Sequence, residues 1–264
     1  MSFESYKPTT DAIARCKRIS FTEQNHSYTV DGMKDTHTSC TKFLKEYSVP
    51  FDADLAIRAL KNGKNWNSNN VYFTMTDAQI KKKWIDNGKK TSSEGTKLHS
   101  MIQSFYKQQL PQCVHDVGFG QFIEFFNDYK DIYSVCETEM SIFCDYDKER
   151  LTGSFDVLFK IKGEGGFALG DWKRVKKIER NSYGHKKMLP PINHLEDCNF
   201  NQYSLQLNLY RYILQKYYSY QIDEMFMVVF STEKDAYEKV DVKTMDKEIE
   251  MLLQDRAKRL GVKL

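Results

Sequence analysis

The chain has 264 residues, enough for one substantial hydrophobic core with an appended segment and too few for two full-size enzymes. Hydrophobic residues make up 41% and charged residues 28%, which excludes a disordered or fibrous protein. The formal net charge of +3 is too small to indicate a nucleic-acid partner by itself. The sequence has no apolar run that could cross a bilayer and no readable secretory signal. We therefore expect an intracellular protein with no membrane partner, with nucleus, organelle and cytoplasm left open.

Six cysteines are scattered along the chain, with no CxxC pair and no zinc-type spacing to the six histidines. We expect them to be reduced thiols, many of them in the core. They are Cys16, Cys40, Cys113, Cys136, Cys144 and Cys198.

The first 91 residues predict a hairpin followed by helices. Apolar residues alternate with polar ones over residues 18–30, around an Asn-His pair, which predicts a β-hairpin. Helical patterns with polar starts predict helices over 38–47, 52–61 and 77–89. We interpret residues 1–91 as an N-terminal cap.

The rest of the chain, residues 92–264, predicts a catalytic core. Ser92 or Ser93 is the expected N-cap of its first helix, and a glycine-rich turn at 163–166 joins two of its strands. The predicted order is helix 92–110, helix 119–129, strands 133–143, 151–161 and 166–173, helix 202–220, strand 224–231 and helix 242–260. This order predicts an α/β fold with a mixed central sheet flanked by helices on both faces.

Two carboxylates and a lysine lie on neighbouring predicted strands. Asp171 and Lys173 project from one face of their strand while Trp172 points to the other, and a tight hairpin would bring Asp156 alongside Asp171. Paired carboxylates suit Mg²⁺ or Mn²⁺, and the backbone carbonyl of Trp172 is a further candidate ligand. Lys173 would add a positive charge that orients water or binds phosphate. Such a site fits metal-assisted phosphodiester hydrolysis.

The wider pattern resembles the RecB-like branch of the PD-(D/E)XK nuclease superfamily over residues 92 to 231. Gly153-x-x-Asp156 and Asp171-Trp172-Lys173 resemble two of its core motifs. Two helical motifs lie on either side: Gly95-Thr96-Lys97-Leu98-His99 is similar to G-T-x-x-H, and Gln206 with Tyr210 is similar to Q-x-x-x-Y. Before residue 92, the predicted hairpin and the predicted helix with Ser39-Cys40-Thr41 are similar to the N-terminal part of the family of mitochondrial genome maintenance exonucleases and related phage and viral exonucleases.

The resemblance implies a restriction-endonuclease-like core and a role for each matched residue. His99 is implied to be a metal ligand or a close neighbour of the metal, and Glu139 matches a position that often carries an additional acid. Gln206 and Tyr210 are implied to help position the DNA phosphate. Some members carry an iron–sulfur cluster held by cysteines near the C-terminus; because no cysteine follows Cys198, we expect none here.

Local clusters of positive charge strengthen the expectation of a nucleic-acid partner. Arg174, Lys176, Lys177 and Arg180 directly follow the predicted active-site strand and are candidate phosphate-binding residues. A cap that encloses the strand would favour an exonuclease acting on single-stranded DNA ends. We therefore expect DNA, more specifically single-stranded DNA, as the partner of a monomeric enzyme.

Two other functions are compatible with these residues. One is a structure-specific endonuclease or an RNase with the same metal site, since the surrounding cap decides which substrate reaches the metal. The other is a catalytically silent nucleic-acid-binding module, which the presence of Asp156, Asp171 and Lys173 disfavours.

Overall fold

The computed structural model describes residues 7–22, 27–109, 115–145, 149–163, 165–231 and 233–262. Its helices are α1 (Thr10–Cys16), α2 (Cys40–Lys45), α3 (Ala53–Lys61), α4 (Asp77–Tyr106), α5 (Val117–Tyr129), α6 (Asn199–Tyr218) and α7 (Asp246–Leu260). Its strands are β1 (Ile19–Thr22), β2 (Ser27–Val30), β3 (Met33–Lys34), β4 (Thr38–Ser39), β5 (Tyr133–Phe143), β6 (Leu151–Ile161), β7 (Phe167–Lys173), β8 (Ile222–Val229) and β9 (Glu238–Asp241).

The central sheet is mixed, which confirms the predicted α/β architecture. Its strands follow the order β4-β6-β7-β8-β9, and β5 pairs with β6. The β4–β6 and β7–β8 pairs are parallel, whereas β5–β6, β6–β7 and β8–β9 are antiparallel. Strands β1, β2 and β3 form a separate antiparallel sheet, so the predicted N-terminal hairpin is confirmed by its strands.

Helices cover both faces of the central sheet. On one face, α4 and α5 pack an aromatic cluster against the sheet, in which Phe122 and Phe125 contact the ring of Trp172 at centroid distances of 5.8 and 5.6 Å. On the other face, α1, α2, α6 and α7 bury mainly aliphatic residues. Trp172 points into the aromatic side, as its alternation with Asp171 and Lys173 predicts.

The helix α4 differs from the prediction of two helices, because it runs without a break for 30 residues. The Ser-rich stretch at residues 91–95 resembles a helix start in sequence. In the structure this stretch continues the helix, and Thr96 Oγ1 donates to the carbonyl of Ser92 one turn earlier at 3.1 Å. The boundary that we expected between residues 91 and 92 therefore falls inside one helix.

Two short strands of the central sheet were not predicted. Thr38 and Ser39, which we placed in a helix, form β4 and pair with Leu151 and Thr152 of β6. Ser39 ends that strand and also caps α2, accepting from the backbone N–H of Lys42 at 3.2 Å. Strand β9 occupies the segment before α7, so α7 begins at Asp246, four residues later than we predicted. Both strands are too short to show a reliable alternation of apolar residues.

A few predictions fall outside the described residues, namely the Asn-His turn of the hairpin, Glu164 of the glycine-rich turn and Cys113. Within the described ranges, five cysteines are free thiols, and three of them are buried: Cys40, Cys144 and Cys198. None of the helices described combines the length and apolarity needed to cross a membrane.

Candidate metal centre and active site

The candidate site lies in a fork between β6 and β7. The two strands pair in register from Lys160↔Phe167 to Val157↔Gly170, and the pairing ends there. Strand β7 continues along β8 as far as Lys173↔Val229. At the fork, the backbone N–H of Trp172 donates to Asp156 Oδ2 at 2.6 Å, which replaces the next ladder hydrogen bond by a side chain. Because β6 and β7 separate beyond this point, there is space between them for the side chains of Asp156 and Asp171.

Three of the predicted residues converge at the fork. His99, Glu139 and Asp156 each offer a ligand atom, and these atoms lie within 4.8 Å of one another. His99 Nδ1 is 3.3 Å from Glu139 Oε1 and 3.5 Å from Asp156 Oδ1, and His99 Nε2 is 3.0 Å from the carbonyl oxygen of Trp172. The residues come from three elements, α4, β5 and β6, which fixes the group in space.

Burial and charge compete at His99. Burial of the ring favours its neutral form, but the carboxylates of Asp156 and Glu139 outweigh this and raise the pKa of His99 to about 9. In the absence of a cation, the ring is therefore protonated at neutral pH and acts as the counter-ion of the two acids.

Asp171 and Lys173 form the second half of the site. Lys173 Nζ lies 2.5 Å from Asp171 Oδ2 and 4.5 Å from the ring centroid of Tyr203. Burial raises the pKa of Asp171 to about 6, opposed by the charge of Lys173 and reinforced by Asp156. Burial also raises the pKa of Asp156. Two buried acids with raised pKa values in one cleft are typical of a functional site.

The backbone at Glu139 is strained. Its φ of 51° lies in the left-handed region, where a glutamate in a strand is rarely found. The flanking pairs, Thr138↔Val157 and Met140↔Phe155, place Glu139 opposite Asp156. The strain therefore occurs at the register position that brings a third acid to the fork, which is where strained residues tend to be functional.

The motifs Gly153-x-x-Asp156 on β6 and Gln206-x-x-x-Tyr210 on α6 contact each other at Gly153. A Cβ at Gly153 would lie 2.4 Å from Cε1 of Tyr210, so the tyrosine ring occupies the space that a side chain at Gly153 would need. Gln206 donates to Tyr210 Oη at 3.0 Å, one helical turn away. The glycine of Gly153-x-x-Asp156 thus lets α6 approach β6, and its contact with Tyr210 positions the α6 pair against the strand that carries Asp156.

The residues present fit a hard divalent cation. Glu139 Oε1 and Asp171 Oδ2 are buried and, among the described residues, accept no hydrogen bond of normal geometry; each faces a cationic side chain instead. Buried carboxylate oxygens with few donors, beside a backbone carbonyl, match the ligand preference of Mg²⁺ or Mn²⁺. His99, Glu139, Asp156, Asp171 and the carbonyl of Trp172 are the residues that could hold such an ion.

The predicted phosphate-binding residues differ in their surroundings. Arg174 is only 12% exposed and makes an ion pair at 2.7 Å with Asp116, the N-cap residue of α5. This ion pair holds Arg174 against the start of α5, and its predicted contact with phosphate stays a prediction. Lys176 and Lys177 are exposed and pair with nearby glutamates, and the exposed Arg180 lies 4.0 Å above the ring of Phe200. Exposed pairs of this kind exchange readily with a phosphate partner.

Two features of the site had little or no sequence signal. Nothing in the sequence indicates the left-handed φ of Glu139, because only glycine or asparagine would have marked it. The partner of Arg174 was also missed: Asp116 lies three residues before the predicted start of the helix at residue 119, and the observed helix begins two residues earlier, which makes Asp116 its N-cap.

Comparisons with known proteins give little further information. No protein-family model and no curated protein matches the chain. Among solved structures, one described as "Crystal structure of SSO0001" matches with 15% identity and a TM-score of 0.29. That match covers 54% of this chain and 57% of the other, so the chain spans little more than half of that protein. A likeness at this level supports no conclusion about fold or function.

Proposed function

We propose that the protein is a Mg²⁺- or Mn²⁺-dependent nuclease that hydrolyses phosphodiester bonds of DNA. The observation that carries the proposal is the convergence of His99, Glu139 and Asp156 within 4.8 Å, beside the buried Asp171–Lys173 pair. The motif resemblance described above supports the same chemistry. A divalent ion bound there would stabilise the negative charge that develops on the phosphate and lower the pKa of an attacking water.

Lys173, Gln206 and Tyr210 would have different roles at the phosphate. Lys173 remains protonated, because the carboxylates of Asp171 and Asp156 outweigh its burial and raise its pKa. Its ammonium can therefore bind a phosphate oxygen or orient the attacking water. Gln206 and Tyr210 would steady the phosphate from α6, with Tyr210 held neutral because burial raises its pKa.

We further propose that the enzyme acts on single strands from an end. The N-terminal elements contribute to the surroundings of the site: β4 pairs with β6, and α4 carries both a lysine-rich half and His99. A strand that must thread past these elements would enter by a free end. An endonuclease or RNase with the same metal site would need no such end.

The test uses end-labelled linear and circular single-stranded DNA of the same sequence, with matched RNA, in Mg²⁺, in Mn²⁺ and in EDTA. The proposal predicts that linear DNA is degraded to short products with either ion, that the circle resists, and that EDTA stops the reaction. Equal cleavage of the circle would favour an endonuclease, and preferential cleavage of RNA would contradict DNA as the substrate. No hydrolysis with either ion would contradict the nuclease assignment.

A further inference from the structure

A second feature beside the fork is a cavity of about 440 Å³ between α2, the segment after it and the first half of α6. Its volume lies within the ~300–1,000 Å³ of small-ligand sites. The lining is mainly apolar, with a few polar side chains. It includes Thr41, Leu44, Phe51, Met188, Gln202 and Tyr203.

The cavity adjoins the active site through α6. Tyr203 lines the cavity and its ring also contacts Lys173, with 4.5 Å between the ring centroid and Nζ. Gln206, one turn further, lines the cavity and bonds to Tyr210. A group in the cavity is therefore one side chain away from Lys173, which we propose binds the phosphate.

A row of aromatic rings, exposed at Phe51 and half-buried at Trp84 and Tyr72, leads away from the cavity. Phe51, at its mouth, is 73% exposed, although a phenylalanine is normally buried. The Phe51 ring meets Trp84 at 5.8 Å, and Trp84 meets Tyr72 at 6.1 Å. Lys83 Nζ lies 5.2 Å from the Tyr72 ring centroid, so positive charge accompanies the row. Aromatic rings beside positive charge are the usual means of binding unpaired nucleic acid.

We propose that this cavity binds one unpaired nucleobase of the substrate strand, next to the phosphate held at Lys173, and that Phe51, Trp84 and Tyr72 stack the bases that follow. This proposal rests on the proposed function and adds the reason for a single-strand preference. A base seated between Leu44, Tyr203 and Met188 has its hydrogen-bonding edge inside the protein, so it cannot be paired with a second strand. The amide oxygen of Gln202, whose nitrogen donates to Asp197, offers a polar contact that suits more than one base.

The test places 2-aminopurine at each position of a short single-stranded oligodeoxynucleotide in turn and measures its fluorescence on binding in EDTA, where no cleavage occurs. Phe51→Ala removes an exposed ring, and Thr41→Trp fills the cavity from an exposed position, so both variants should fold. Ile132→Ala, at another exposed apolar side chain (46%) before β5, is the control. The cleaved bond is located separately with unmodified DNA in Mg²⁺.

We expect the largest change in fluorescence on binding at one position, adjacent to the cleaved bond, and smaller changes at the positions that follow it. Phe51→Ala and Thr41→Trp should remove that change and weaken binding about 10-fold, in the range of one lost stacking contact, while Ile132→Ala leaves both intact. An abasic residue at the same position should weaken binding of the wild-type protein similarly.

The outcomes separate the two proposals. Cleavage with a fluorescence profile that is the same in wild type and Phe51→Ala overturns the base-binding cavity and leaves the nuclease assignment standing. A Phe51-dependent profile without cleavage in Mg²⁺ or Mn²⁺ upholds the cavity and contradicts the hydrolytic function. No binding of single strands overturns the cavity, and dimerisation that Phe51→Ala abolishes would identify a second copy as its occupant.

Discussion

Two clusters of polar side chains around buried carboxylates, one at Glu149 and one at the fork, have opposite electrostatic designs. Glu149, whose side chain is 1% exposed, accepts hydrogen bonds from Tyr212 and Tyr217 at 2.5 Å each and from Lys216 at 2.8 Å. Although burial disfavours its charge, these donors lower the pKa of Glu149. At the fork, burial dominates and raises the pKa values of Asp156 and Asp171. The carboxylate of Glu149 has hydrogen-bond donors for both of its oxygens. At the fork, several acids lie close together and some of their oxygens accept no hydrogen bond among the described residues.

The comparison shows how a structural carboxylate differs from one prepared for a ligand. A single acid surrounded by neutral hydroxyl donors and one ammonium stabilises the fold that surrounds it. Several acids that share one histidine and one lysine repel one another, and a divalent cation would relieve that repulsion. Variants of the fork should therefore lose DNA hydrolysis and keep their stability, whereas variants of Glu149 should lose stability and keep hydrolysis.

The largest expected effect is on catalysis. Asp156→Ala, Asp171→Ala and Lys173→Ala should each lower the rate of DNA hydrolysis by at least about 10³-fold, because each removes a charge that acts on the phosphate or holds the cation. The measurement is the initial rate on linear single-stranded DNA in Mg²⁺, with circular dichroism as the check on folding. Asp131→Ala, an exposed acid before β5, is the control and should retain the wild-type rate. Substantial Mg²⁺-dependent cleavage by Asp171→Ala would reject this site.

The next effect is on stability at the Glu149 cluster. Glu149→Ala should lower the free energy of unfolding by about 3 kcal/mol, since it leaves two tyrosine hydroxyls and Lys216 without their shared acceptor. Urea titration measures this, and hydrolysis by the folded fraction should be unchanged. A variant as stable as wild type would mean that the network contributes nothing and would remove the contrast between the clusters.

A smaller effect is expected from His99→Ala. If His99 supports the cation, its loss should weaken Mn²⁺ binding by about 10- to 100-fold, the range found when a residue that orients metal ligands is removed. The measurement is the Mn²⁺ concentration that gives half-maximal cleavage. His194→Ala, an exposed histidine paired with Glu248 at 2.9 Å, is the matched control. Unchanged Mn²⁺ dependence in His99→Ala would assign His99 a structural role.

The smallest effect is the response of the metal-free protein to pH. The pKa of Asp171 in the folded protein is raised from 3.8 to about 6, so its protonated form is favoured by folding. This contribution is present below about pH 4 and is lost as pH rises through 6. In EDTA, Asp171→Asn should therefore exceed wild type in Tm by several °C at pH 8 and match it near pH 4. A variant less stable than wild type at pH 8 would mean that the Asp171–Lys173 attraction outweighs burial.

The sequence predicts the long, strongly patterned elements well. Strands β5 and β6 have the bounds that alternation predicted, and the D-W-K spacing placed Trp172 in the core and Asp171 with Lys173 on the opposite face. It predicted the gathering of His99, Glu139 and Asp156 only through the motif resemblance, because their contact depends on three elements that are distant in the chain.

The remaining features arise from tertiary contacts that local patterns do not contain. Strand β4 exists because Thr38 and Ser39 find a partner in β6, not because two residues favour a strand. Arg174 looks like its basic neighbours in sequence and differs only because Asp116 lies beside it. The fork itself follows from the point at which β6 and β7 stop pairing, which no residue pattern marks.

The central claim is that the fork between β6 and β7 is a divalent-metal site, and Mn²⁺ binding tests it most directly. Electron paramagnetic resonance of free Mn²⁺ at pH 7.5 measures the ions taken up by wild type, Asp156→Asn, and Glu149→Gln as a buried-carboxylate control. The account predicts that wild type and Glu149→Gln bind Mn²⁺ alike and that Asp156→Asn loses this binding. Equal uptake by wild type and Asp156→Asn, or no uptake by wild type, would contradict it.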